Sequence, residues 1–182
     1  MNTYNFIEEY KIPLNLCDQF IEYHKNNNEY KSLGVSGVNS IVNPNVKDSI
    51  DVTFFNNSKN KTVVSFFKEL SILVKKYMDK YNIEHSLYTY KINLIQHYKK
   101  NGGYKKLHYE RASLETSKRQ LVYMLYCNTL KNGGTYFPFQ NKTIEAVKGK
   151  LIIWPSDFTH PHKGVISKNK EKYIVTGWFE II

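Results

Sequence analysis

The sequence predicts a mixed α+β, mainly β domain: an antiparallel jelly roll with N-terminal helices backing one sheet. Three observations carry that expectation. From about residue 91 onward, β-rich runs follow one another: YKINLIQHY, RQLVYMLYCN, GGTYFPF, TIEAVKGKLIIWP and KYIVTGWFEII. No helical segment joins them, which argues against parallel βαβ units and for strands returning antiparallel in two sheets. The chain is also rich in aromatics, with 15 Tyr and 10 Phe, side chains that suit a pleated, half-buried surface.

In chain order, NFIEEYKI reads as a strand. Asn15 then offers a helix cap, with Leu16, Phe20, Ile21 and Tyr23 spaced for one apolar face. Residues 31–59, with GVSG and NPNVKDS, are dense in turn formers and predict loop with short extended pieces. The strongest helix runs over 62–81, where Val63, Phe66, Phe67, Leu70, Ile72, Leu73 and Tyr77 recur at helical spacing. Turns are expected at 99–103, 131–134, Gly149, 155–157 and 168–171. With no repeat and no Pro-, Ser- or Gly-rich linker, residues 1–182 form one domain. A helix-rich supporting part spans 1–90, and a β core at 91–182 carries the site.

The net charge of +10 invites a nucleic-acid partner, but arginine supplies only two of the 26 cations, Arg111 and Arg119. Arginine dominates bidentate base recognition, so a solvated lysine surface is the better reading. No apolar run approaches the roughly 18 residues of a membrane span. The start, MNTYNFIEEYK, lacks the basic and apolar parts of a signal peptide, so the expected location is the cytoplasm. Cys17 and Cys127 sit in apolar surroundings and read as buried thiols, too few for a zinc site.

The chemistry gathers on histidines. His108 and Glu110 stand at i and i+2 in LHYE, so on extended chain both side chains reach one point. A further imidazole from a distant strand would complete a set of two histidines and one carboxylate, which suits iron(II) with open coordination positions. His160 and His162, in SDFTHPHKG, are both candidates. On the last strand Lys172, Ile174, Thr176 and Trp178 share a face. A lysine on a buried strand needs an anionic partner, and a small dicarboxylate would supply one, with Thr176 adding a hydroxyl donor.

In order and spacing, Tyr98 before GGY, then HYE, RQLVYMLYCN, a GG turn, KGKLIIWP, THPHKG and KYIVTGW resemble the prolyl-4-hydroxylase-like branch of the 2-oxoglutarate/iron(II) oxygenases. The resemblance includes small phage-type members and runs from about Ile92 to Ile182, with a fainter match through KDSID at Lys47 to Asp51. It implies a double-stranded β-helix fold and an oxygenase using Fe(II), 2-oxoglutarate and ascorbate. The implied substrate is a prolyl residue of a peptide or protein. The implied iron ligands are His108, Glu110 and His162; the ten-residue step from His162 to Lys172 fits the family better than the step from His160. Lys172, Thr176, Tyr126 and Tyr98 would hold the co-substrate. Trp178, Tyr104 and His160 would wall or support the site, and GVSGVNS and RASLETSK would cover it. The family usually has Asp where this chain has Glu110, a difference of one methylene. A non-catalytic binding module and a nucleic-acid-directed oxygenase are the alternative readings. The oligomeric state is not legible.

Overall fold

A computed structural model describes residues 4–37 and 40–181. Strand β1 (Glu8–Lys11) leads into helix α1 (Leu14–Asn26), followed by β2 (Lys31–Leu33), the hairpin β3 (Val35–Ser36) and β4 (Ile41–Val42), and β5 (Ile50–Phe55). Helix α2 (Lys61–Lys80) precedes β6 (Leu87–Thr89), β7 (Ile92–Tyr98), β8 (Arg119–Tyr126) and β9 (Leu130–Phe137). The chain ends with β10 (Lys142–Ala146), β11 (Lys150–Pro155), β12 (Lys163–Gly164) and β13 (Lys172–Ile181). An eight-stranded sheet runs β1-β11-β8-β13-β7-β5-β2, with β6 on β13, and a three-stranded sheet runs β10-β9-β12. Every pairing is antiparallel, as a jelly roll requires. No helix among the described residues is long and apolar enough to cross a membrane.

Alternation along the strands makes two cores. Leu121, Tyr123 and Leu125 of β8 join Phe20 of α1 and Phe66, Leu70 and Tyr77 of α2. Val122, Met124 and Tyr126 of the same strand join Phe137, Ile144, Ile152 and Trp154 between the sheets. Helix α2 therefore backs the large sheet, as its apolar stripe predicts. Its start is fixed by Asn60, whose side chain accepts from the Thr62 and Val63 N–H groups. Gly177 of β13 leaves room on the helix side, where a Cβ would lie 2.4 Å from the Tyr123 hydroxyl. That hydroxyl donates to Asn93 at 2.6 Å.

Three expectations need correction. Asn15 is not the cap of α1: the helix starts at Leu14 behind Pro13, with no side-chain cap, and the fixed φ of proline sets the entry instead. The 131–134 turn lies inside β9. There Asn132 takes a left-handed φ of 58° and Gly134 passes against the Ile144 carbonyl, so these turn-forming residues serve a strand irregularity. The 31–59 segment also contains β5, a six-residue strand paired on both sides, by β2 and β7.

Candidate active site

The inter-sheet face opens into a cavity of about 440 Å³. Even-numbered residues line it: Leu94, Gln96 and Tyr98 of β7, and Lys172, Thr176 and Trp178 of β13. At one end His108 and His162 are joined as a backbone bridge, His108 N–H donating to His162 O at 3.0 Å and His162 N–H to His108 O at 2.8 Å. Two residues on, the Glu110 N–H is held by Ser156 O at 3.0 Å.

The geometry between these three side chains suits a cation. His108 Nδ1 lies 3.0 Å from Lys106 O, and His162 Nδ1 3.1 Å from His160 O. A carbonyl only accepts, so each Nδ1 carries the hydrogen and each neutral ring keeps its lone pair on Nε2. Those Nε2 atoms sit 3.4 Å and 3.5 Å from Glu110 Oε1. One donor atom from each residue falls within 4.8 Å of the others. Donors about 2.1 Å from one metal lie about 3–4 Å apart, so the three need little movement to share an ion. Burial works against ionisation of Glu110, but hydrogen bonds and positive charge from the two imidazoles, available when Nε2 also carries a proton, outweigh it and hold the carboxyl well below its usual range. A bound cation would take the place of those protons. Burial also lowers the basicity of His162, with His108 adding to the effect. An anion and two imidazole lone pairs, converging with no hydrogen between neutral rings and carboxylate, fit a divalent metal.

At the other end, Lys172 is 4% exposed and has no carboxylate in ion-pair range among the described residues. Its ammonium lies 5.1 Å above the Tyr98 ring, and burial pushes its pKa down to about 8. The cavity's Lys47, by contrast, is neutralised by Asp51 at 2.6 Å. Thr176 Oγ1 accepts from Gln96 Nε2 at 3.3 Å, and Gln96 Oε1 accepts from the Tyr98 hydroxyl at 2.5 Å. The Thr176 hydrogen is thereby left to point elsewhere, while that of Tyr98 is committed to Gln96.

Most of the residues singled out in the sequence therefore meet. Tyr104 stacks on His108, with ring centres 3.6 Å apart and planes 12° apart, and Trp178 Nε1 donates to Glu110 Oε2 at 3.1 Å. Two residues do not reach the cavity. The Tyr126 hydroxyl is bonded to Thr135 Oγ1 at 2.6 Å and lies behind that residue. The His160 ring is held by Asn5 O and Thr159 Oγ1, each at 2.9 Å, because 157–160 forms a turn rather than an extended strand. His160 supports the site through its carbonyl instead. Of the expected cover, Val35, Ser36, Gly37 and Ser40 of GVSGVNS line the cavity, with 38 and 39 outside the described residues, and Ser113 and Thr116 of RASLETSK line it as well. Sequence reasoning passed over Arg119 and Gln96 as site residues. The signal for Gln96 is period-two placement beside Tyr98 on β7. Arg119 is out of phase with Val122 and Met124 of β8 and faces the cavity beside a register shift, which alternation does not reveal.

Residues 94–180 match the model of the 2OG-Fe(II) oxygenase superfamily. The viral collagen prolyl hydroxylase of Paramecium bursaria Chlorella virus-1, solved with 2-oxoglutarate, is 16% identical with a TM-score of 0.74, covering 98% of this chain and 97% of that one. A prolyl-4-hydroxylase of Pseudomonas putida is 15% identical with a TM-score of 0.74, covering 96% and 92%. A Trichoplax adhaerens prolyl hydroxylase, solved with a peptide fragment of the hypoxia-inducible-factor oxygen degradation domain, is 16% identical with a TM-score of 0.74, covering 97% and 84%. No curated protein matches the chain. The chain shares the double-stranded β-helix fold of these prolyl hydroxylases, and its His108, Glu110 and His162 could hold a metal ion.

Proposed function

We propose that this chain is a 2-oxoglutarate-dependent dioxygenase that hydroxylates a prolyl residue in a peptide or protein, with Fe(II) held by His108, Glu110 and His162. The carrying observation is the cavity itself, which has three metal-donor atoms at one end and an unpartnered buried ammonium at the other. That polarity matches 2-oxoglutarate, whose keto acid end chelates a metal while its far carboxylate seeks a cation.

Iron and 2-oxoglutarate, when bound, would supply the oxidising chemistry, placing one atom of dioxygen in a C–H bond and releasing succinate and carbon dioxide. The chain's own residues hold and orient. Lys172 pairs with the far carboxylate, and Thr176 is free to donate to it because Gln96 fills its acceptor position. Tyr98 walls the co-substrate through its ring, and Tyr104 braces the His108 imidazole. Apolar Val122, Met124 and Ile174 keep water from the buried end.

A peptide substrate is supported by the match in fold to a prolyl hydroxylase solved with a peptide. The test is purified protein with Fe(II), 2-oxoglutarate, ascorbate and a panel of proline-containing peptides. The expected result is succinate release coupled to a gain of one oxygen on a prolyl residue. Oxygen gained on a nucleobase or on a non-prolyl residue would overturn the prolyl reading.

A further inference from the structure

Glutamate at 110 reaches one methylene further than aspartate would, and the surroundings of its outer oxygen are built to receive it. Glu110 Oε1 faces the two imidazoles, at 3.4 Å from His108 Nε2 and 3.5 Å from His162 Nε2. Oε2 points the other way, accepting from Trp178 Nε1 at 3.1 Å and from Arg119 Nη1 at 3.5 Å. The same guanidinium nitrogen also donates to the Glu110 carbonyl at 3.2 Å, so Arg119 grips both the backbone and the side chain of this residue. The Arg119 guanidinium lies 3.8 Å above the Trp178 ring, which ties the two donors to each other.

The spacing between the carboxylate and its donors is set by Ser156. Its carbonyl accepts the N–H groups of Glu110 and Arg111, each at 3.0 Å. Its hydroxyl donates to Arg119 O at 2.6 Å, and its N–H donates to Gln120 O at 3.1 Å. One buried residue thus pins the start of β8 to the backbone carrying the carboxylate.

We infer that Trp178, Arg119 and Ser156 form a clamp matched to the length of glutamate, which holds Oε2 and presents Oε1 alone to the metal. Trp178 and Arg119 are positioning residues here, acting on the ion through Glu110. A freely rotating glutamate would spread its charge over several rotamers, and fixing one of them removes that entropy before the ion arrives. Aspartate at 110 would draw both oxygens back by one methylene. It could keep its contact with the metal or its contacts with the clamp, but not both. This inference rests on the metal set proposed above.

The test is a metal-affinity cycle on the purified chain, read by Co(II) titration and by the visible spectrum of the bound ion, without turnover. Trp178→Phe and Arg119→Gln are each made in the wild-type background and with Glu110→Asp, and thermal unfolding checks that every variant folds. With Glu110 present, each is expected to weaken Co(II) binding by about 10-fold or more, the usual scale for loss of a group that orients a ligand. The cobalt bands should shift as Oε2 is released. With Asp at 110 the same substitutions should change affinity by less than about 2-fold, since the pair is then already uncoupled. Equal losses in both backgrounds, or none in either, would overturn the clamp. Absence of Co(II) binding by the wild-type chain would overturn the metal set itself and the clamp with it. Binding by wild type with indifferent Trp178 and Arg119 variants would remove only the clamp.

Discussion

On β7, on β13 and on β8 beyond Arg119, odd-numbered residues face the helices and even-numbered residues face between the sheets, whereas Arg119, beside a register shift, reaches the cavity. The odd set includes Ile95, Leu121, Tyr123, Leu125, Val175 and Phe179, packed with aromatics from α1 and α2. The even set includes Gln96, Tyr98, Lys172, Thr176 and Trp178, where buried polar groups face a void. The same backbone thus carries a face that closes on itself and a face that waits for a charge at each end. Buried polar groups without partners oppose folding, whereas apolar burial drives it. Stability and function are therefore divided between the two faces of these strands.

The widest separation is expected from the ligands. His108→Ala or His162→Ala should abolish Fe(II) or Co(II) binding while leaving the thermal midpoint of the metal-free protein near wild type. Each removes one of three protein donors and no apolar packing of the helix face. His160→Ala should keep the metal. Loss of metal in His160→Ala with retention in His162→Ala would reverse the assignment.

On the other face, Phe66→Ala should lower stability by about 3–5 kcal/mol, the usual range for emptying a buried aromatic site. Its Co(II) affinity, measured below the unfolding transition, should be unchanged. A matching loss of metal affinity would show that the two faces are coupled through β8.

Much of this division was legible in the sequence. The HxE pair, the distant THPHKG segment and the lysine on the last strand stand at positions that the structure brings around one cavity. Alternation along KYIVTGW correctly groups Lys172, Thr176 and Trp178. What escaped depends on long-range contacts that local pattern does not encode. The Tyr126 hydroxyl finds Thr135 on a neighbouring sheet, and the His160 ring finds the Asn5 carbonyl from the far end of the chain. β5 was hidden because NPNVKDS carries turn formers up to its edge, although its two sheet neighbours make it a central strand.

Lys172 gives an effect of opposite sign to Phe66. Its pKa of about 8 in the fold lies below the ordinary lysine value of 10.5, so the folded protein sheds that proton earlier than the unfolded chain. The cost is fully present below about pH 8 and is relieved as pH rises towards the unfolded value. Lys172→Met should therefore stabilise the metal-free protein at neutral pH, by about 3 kcal/mol at most. The gain over wild type should shrink in alkaline denaturant titrations. The same variant should lose most of its 2-oxoglutarate affinity while retaining Co(II). Destabilisation by Lys172→Met, or unchanged 2-oxoglutarate affinity, would move the anion site elsewhere.

The smallest expected effect lies where the helix face breaks its own apolar rule. His24 of α1 and His97 of β7 are buried with ring centres 5.4 Å apart, and His97 stacks on Tyr173 with centres 4.3 Å apart. Burial lowers the basicity of both, the neighbouring imidazole adds to the effect at His24, and Glu171 partly offsets it at His97. Because the folded values lie below the unfolded one, the unfolded chain takes up protons first, and stability should fall as pH drops below about 6.5. His24 Nε2 lies 2.9 Å from Ile50 O, a bond that an amide can also make. His24→Gln should thus stay within about 1 kcal/mol of wild type at neutral pH, the scale of one hydrogen bond. It should nonetheless show a shallower loss of stability on acidification, with Co(II) affinity at neutral pH unchanged. Urea midpoints across the acid range, compared between the two proteins, decide it. An identical acid slope in both would mean that the His24–His97 pair stays neutral throughout, leaving the acid response to groups on the cavity face.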